Sequence, residues 1–198
     1  MDRNIVSQSK RVSWLLRHGA AEAGVAMDGA GWVLVSDVLR ALRMSEAQLE
    51  AVVGQNDKQR FERSGDRIRA SQGHSVSVLS VEALEASWKS FEGDGPVFHG
   101  TNVGAAFSIA REGITAQKRS HVHLAASRES KVGKRWNVEV LLVVSPARVR
   151  AHGIGLFESP NGVILARRIP VDCITGVESV TRGAQEKLAA LRAAFKGG

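Results

Sequence analysis

Residues 90–96, Ser-Phe-Glu-Gly-Asp-Gly-Pro, divide the chain into two stretches whose apolar residues repeat with different periods. Gly, Asp and Pro at this density interrupt helix and strand alike, so the segment reads as a linker. Upstream of it the helical period dominates. Val12, Leu15 and Leu16 fall at i, i+3, i+4 on one face, and Arg17, His18 and Gly19 follow as that helix ends. Asp28–Val35 reads as a turn entering a short strand, and Ser36 is placed to cap the next helix. Ser45 and Gln48 form a capping box for a further helix that turns Leu49, Val52 and Val53 inward. Residues 59–71 read as two strands joined by a Ser64-Gly65-Asp66 turn. Helix, strand, helix, helix and hairpin are the ingredients of a winged-helix unit.

Downstream the period shortens. Residues 96–100, 120–127, 138–145, 161–171 and 174–180 are strand-like, with one helix over 103–113. These segments predict a compact α+β lobe with a mixed or antiparallel sheet. Leu188, Leu191 and Phe195 recur at helical spacing and predict a terminal helix docked on the body. The expected division is 1–92 and 93–198.

The chain has 198 residues, 43% of them hydrophobic, which is enough for a proper core. Its net charge is +7 and its pI about 10.2, a balance that favours a polyanionic partner. No cluster of Lys and Arg flanks an apolar segment as a membrane-surface anchor would require, and no stretch approaches transmembrane length. Cys173 is the only cysteine, which excludes an internal disulfide and a multi-cysteine zinc site and suits a reducing cytoplasm. Its apolar surroundings point to core packing rather than reactivity.

The common nucleotide and hydrolase signatures are absent. There is no GxxxxGK[ST] loop, no GxGxxG at a strand–helix junction, and no GxSxG elbow. His121 and His123 would share a strand face, but no third ligand accompanies them, so no metal site is expected. Arg17 and His18, read locally, are cations at the negative end of a helix dipole.

Taken together, Leu-Leu-Arg-His-Gly (15–19), Gly-Trp-Val (31–33), Asn-Asp-Lys-Gln-Arg-Phe (56–61), Ile-Arg-Ala-Ser-Gln-Gly-His-Ser (68–75), Phe-His-Gly-Thr (98–101), His-Val-His-Leu (121–124), Val-Gly-Lys-Arg (132–135) and Asn-Gly-Val (161–163) resemble, in order, the RNA 2′-phosphotransferase family. The resemblance implies a winged-helix lobe followed by an ADP-ribosyltransferase-like lobe. It implies a cytoplasmic enzyme, expected as a monomer, that consumes NAD as co-substrate to remove an internal 2′-phosphate from RNA. Carried over position by position, it implies a catalytic set of Arg17, His18, Arg60 and Arg135. The implied cofactor contacts are His99, Gly100, Thr101, His123, Leu124 and Val163. Ala125 stands where the family usually has Ser, Trp136-Asn137 where His-Gly is common, and Ile164 where Trp is frequent. Many protein-modifying relatives of that second lobe carry a glutamate late in the fold. None stands near Val163 here, and a carboxylate there would repel a phosphate acceptor.

Arginine suits the implied chemistry because its fork binds phosphate oxygens bidentately and stays charged near neutrality. Two other functions share these features. One is ADP-ribosylation of terminal phosphates on RNA or DNA, and the other is nucleic-acid binding by a winged helix without catalysis.

Overall fold

The computed structural model describes residues 3–55, 59–75, 79–130, 133 and 137–195. The chain forms two compact units. The first comprises Met1–Trp88 with Lys118–Ser120, and the second Lys89–Gln117 with His121–Gly198.

In the first unit, α1 (Arg3–Trp14) runs directly into one π-helical turn, Leu15–Gly19. Then come β1 (Val33–Leu34), α2 (Val35–Leu42), α3 (Glu46–Gly54), β2 (Phe61–Ser64), β3 (Arg67–Ala70) and α4 (Val81–Ala86). The three strands form an antiparallel sheet in the order β1-β3-β2. Val12, Leu15, Leu16, Val38, Leu49 and Ile68 are fully buried in its core. Each such side chain contributes about 1.5–3 kcal/mol on burial, so Leu15 and Leu16 fix the turn that carries Arg17 and His18. The capping box at Ser45 forms in both directions.

Two local expectations need correction. Helix α2 begins at Val35 rather than after Ser36, and its N-cap, Leu34, offers no side-chain bond. Leu34 is paired with Arg67 in the sheet, so the end of the ladder, not a polar cap, sets where the helix starts. Gly19 is not a left-handed stop either, for Ala20 after it still has right-handed helical angles. A Cβ at Gly19 would lie 2.3 Å from the Trp14 ring, so glycine is there to make room.

The second unit contains β4 (Lys89–Ser90), β5 (Val97–Thr101), α5 (Val103–Glu112), β6 (Ile114–Thr115), β7 (Val122–Ala125), β8 (Val140–Val144), α6 (Pro146–Ala151), β9 (Phe157–Glu158), β10 (Val163–Ala166), β11 (Arg168–Ile169), β12 (Ile174–Ser179), α7 (Arg182–Glu186) and α8 (Leu188–Ala194). Seven strands pair in the order β12-β8-β5-β7-β10-β9-β4, and β11 pairs with β6. Every pairing is antiparallel, so of the two sheet types expected the antiparallel one forms. The molecule is α+β.

Cys173 ends a 3-10 turn, Val171–Cys173, one residue before β12 rather than within a strand. Its thiol is fully buried and pushed up to about 11, first by burial and then by the charge of Asp172. It is packing, not a nucleophile. The terminal helix is two short ones with Lys187 as the joint, and Leu191 is its buried anchor. No helix among the described residues is long and apolar enough to cross a membrane.

Candidate active site

In the first unit the π-helical turn presents Arg17 and His18 one after the other. Arg17 is pushed down to about 10, by burial first, then by the charges of Arg119 and Arg60. His18 is exposed and held below the usual imidazole range by partial burial, Arg17 and Arg119, in that order. Among the described residues, no carboxylate figures in the charges acting on either residue. Arg60 is half-buried, and its carbonyl accepts from the Ser71 N–H at 2.9 Å, which ties it to the end of β3. The structure therefore brings Arg17, His18 and Arg60 into one electrostatic cluster. Arg135 lies outside the described residues, as does Trp136.

Arg119 belongs to the same cluster and was missed in the sequence. Its backbone bridges that of Ser75, and the Ser120 N–H donates to the His74 carbonyl at 3.1 Å. A signal existed in the basic pair Lys118-Arg119 just before His-Val-His-Leu, but nothing local distinguishes it from an ordinary exposed pair.

Other arginines of the hairpin are committed elsewhere. Arg63 pairs with Glu46 at 2.6 Å and Arg67 with Asp28 at 3.3 Å. Arg69 is buried, donates to Glu62 at 2.7 Å and to the Ala30 carbonyl, and lies over the Trp32 ring. These three face carboxylates, whereas the cluster around Arg17 concentrates positive charge. Guanidiniums and an imidazole gathered in this way are suited to bind an anion with several oxygens.

Beside it sits His74, 1% exposed, with neither ring nitrogen bonded to a described residue. It is driven down to about 3 by burial, then Arg17, Arg69 and His18, so it stays neutral.

The second unit carries the remaining candidates on β5, β7 and β10. His99 Nδ1 lies 3.1 Å from the His123 carbonyl, which can only accept, so Nδ1 carries the proton. Strand register splits the set between two faces. Phe98 opposes Ala125, and His99 opposes Leu142. His99, Thr101 and Leu124 thus share the face of the main core, while Gly100, His123 and Val163 share the other with Phe98 and Ala125. His99 and His123 are half-buried, and the rest are buried. Leu124 is packed into the core, so anything it offers a ligand is backbone. Ala125 fills an apolar cluster with Phe98 and Leu141, and Ile164 is fully buried in the main core.

Gly133, from Val-Gly-Lys-Arg, has φ +75°, and a Cβ there would lie 2.5 Å from the Leu124 carbonyl. Only glycine lets that segment approach β7 so closely.

His121 is buried edge-on to Phe157, with ring centroids 6.4 Å apart. Among the described residues one group has metal-ligand spacing: His152, Asp172 and Cys173. His152 Nε2 is 2.7 Å from Asp172 Oδ2, a hydrogen bond that joins the end of α6 to the 3-10 turn.

Residues 3–168 match the family model described as RNA 2′-phosphotransferase, Tpt1/KptA family. A Rhizobium johnstonii protein named probable RNA 2′-phosphotransferase is 36% identical over 174 residues, 84% of this chain and 91% of its own. Proteins of the same name from Agrobacterium fabrum and Escherichia coli O6:K15:H31 are 37% and 32% identical, over 84% and 86% of this chain. They are covered over 91% and 95% of their lengths.

Proposed function

The chain belongs to the RNA 2′-phosphotransferase family, Tpt1/KptA, and we propose that it removes an internal 2′-phosphate from RNA at the expense of NAD. The observation that carries this reading is the gathering of Arg17, His18, Arg60 and Arg119, with no carboxylate of the described residues among the charges acting on Arg17 or His18. The first unit, in this reading a winged-helix lobe, holds the phosphate. The second, an ADP-ribosyltransferase-like lobe, holds NAD. The half-buried imidazoles of His99 and His123, one on each face of the sheet, offer ring nitrogens that suit the hydroxyl-rich riboses of that co-substrate.

In the first step the RNA 2′-phosphate attacks the anomeric carbon of the nicotinamide ribose, and the bond to nicotinamide breaks. The nucleophile is already an anion, so no general base is needed. What is needed is to hold a dianion near a second phosphate-bearing substrate, and the guanidiniums do this. In the second step the neighbouring ribose 2″-hydroxyl attacks phosphorus. The RNA 2′-oxygen leaves as a hydroxyl, and ADP-ribose 1″,2″-cyclic phosphate is released. Charge grows on the phosphoryl oxygens here, where fixed guanidiniums stabilise the transition state. His18 donates a hydrogen bond to a phosphate oxygen, and the 2″-hydroxyl proton passes by way of the phosphoryl oxygens to the departing 2′-oxygen. Drawn this way, the reaction uses no metal ion.

The test is incubation with NAD and an oligoribonucleotide bearing one internal 2′-phosphate. Free nicotinamide, a plain 2′-hydroxyl and the cyclic phosphate are expected. Retained phosphate with no nicotinamide would overturn the proposal, and a stable ADP-ribosylated strand would indicate terminal-phosphate capping instead. Alanine at Arg17, His18, Arg60 or Arg119 should each slow turnover at least 100-fold, the scale of losing one transition-state donor. Arg135→Ala decides whether the arginine implied by family resemblance acts alongside Arg119 or whether Arg119 fills its role.

A further inference from the structure

We propose that Ser75 is a positioning residue for His18: its hydroxyl donates to Nδ1, so that the neutral imidazole keeps its proton on Nε2 and presents an N–H to the RNA phosphate. The inference rests on the reading that His18 contacts that phosphate. It starts from one short bond, His18 Nδ1 to Ser75 Oγ at 2.7 Å, across 57 residues of sequence.

A neutral imidazole has one donor and one acceptor nitrogen, and the bond at one fixes the role of the other. His18 is exposed, so packing alone does not set its ring. Among the described residues, Ser75 Oγ is its hydrogen-bond partner. Phosphate oxygens accept, so the nitrogen facing the substrate must donate, and Nδ1 must therefore accept. A hydroxyl can donate to it, while a carboxylate cannot.

The choice of hydroxyl has an electrostatic reason. In a Ser-His-Asp arrangement a carboxylate holds the imidazole and stabilises its cation. Here an added negative charge would repel the phosphate and offset Arg17 and Arg119. Serine orients the ring and adds no charge. The charged and titratable groups facing His18 are Arg17 on its own turn, Arg119 on the segment bridged to Ser75, and His74 preceding Ser75.

Ser75 is placed by its backbone, not by the hydroxyl. Its N–H donates to the Arg17 carbonyl at 3.2 Å, and it bridges Arg119. The segment Gly73–Ser75 therefore joins the turn carrying Arg17 and His18 to the segment carrying Arg119. Ser75→Ala leaves those backbone bonds in place and removes only the hydrogen bond to the ring.

The experiment uses the full chain, uniformly ¹⁵N-labelled and free of substrate at pH 8. Long-range ¹H–¹⁵N spectra of the histidine rings are recorded, and His18 is assigned by its loss in His18→Gln. The expected result is a protonated Nε2 and a bare Nδ1 at His18, a mixture of tautomers in Ser75→Ala, and recovery in Ser75→Thr. Turnover at saturating NAD and 2′-phosphorylated RNA should fall about tenfold in Ser75→Ala and return in Ser75→Thr, a part of what losing a whole transition-state hydrogen-bond donor costs. Ser75→Asp should move the His18 titration, and with it the pH–rate profile, to higher pH.

A wild-type ring protonated on Nδ1, or a Ser75→Ala variant with unchanged tautomer and unchanged rate, would overturn the inference. His18→Ala separates the two levels. If it turns over normally, the role given to His18 fails. If it is inactive while Ser75→Ala matches wild type, the phosphate reading stands and only Ser75's role is wrong.

Discussion

A guanidinium held among other cations stabilises a bound anion and opposes folding when none is bound. Arg17 has this position: burial and the charges of Arg119 and Arg60 bring it down to about 10, and its Nε has no partner among the described residues. Replacing it with methionine keeps most of the aliphatic stem and removes both the repulsion and the buried charge. Arg17→Met should therefore lose at least 100-fold in turnover while unfolding at the same temperature as wild type or higher in phosphate-free buffer. Added inorganic phosphate should raise the wild-type Tm and leave the variant's nearly unchanged. Thermal scans with and without phosphate check this. A Tm several degrees below wild type without phosphate would mean that Arg17 chiefly supports the fold.

At the level of elements, the β2–β3 hairpin separates two uses of the same side chain. Arg60, just before β2, joins the cationic cluster around Arg17, whereas Arg69 on β3 is structural. Its guanidinium meets Glu62, the Ala30 carbonyl and the Trp32 ring while 6% exposed. Arg69→Ala leaves Glu62 half-buried without its partner and uncovers Trp32. It should cost about 2–3 kcal/mol of stability, less than a fully buried pair because Glu62 is partly solvated. Turnover per folded molecule should change little, since Arg69 is not among the charges that shift Arg17 or His18. Denaturant titration and active-site-normalised rates test the pair of statements together, and a large loss of turnover in the folded fraction would contradict the division. The hairpin itself was legible from its turn residues, as were the strands of the second unit from their apolar runs and α3 from its capping box. Arg60 could not be told from Arg63, Arg67 or Arg69 by local pattern, because what distinguishes them is the charge each meets across the fold. The same holds for Arg119, whose place depends on a bridge to Ser75, 44 positions earlier in numbering. The π-helical turn and the role of Gly19 also escaped, since both depend on how Trp14 and the buried leucines pack rather than on residue preference.

Across the whole molecule, the cationic cluster around Arg17 is coupled to acid stability through His74. Its ring is 1% exposed, bonded through neither nitrogen to a described residue, and driven down to about 3 by burial, Arg17, Arg69 and His18. The unfolded chain takes up this proton near pH 6.5, the folded chain only near 3, so in that window the unfolded state binds more protons. Stability is then full above about 6.5 and falls as the pH drops toward 3, by an amount on the order of a few kcal/mol from this residue. The exposed pairs His152–Asp172 and Arg128–Glu178 also weaken in acid as their carboxylates protonate, but surface pairs contribute little. His74→Phe keeps a planar ring beside Gly31 and removes the titration. Its Tm should vary less between pH 7 and pH 4 than that of wild type, with the difference concentrated below 6.5. Parallel acid limbs in the two proteins would show that His74 is not the group through which acid unfolds the chain. If the limbs diverge as expected, the cationic cluster sets the acid limit of the fold. Arg17 and His18 help hold His74 neutral, and each proton forced onto it in acid adds a further positive charge to a site already crowded with them.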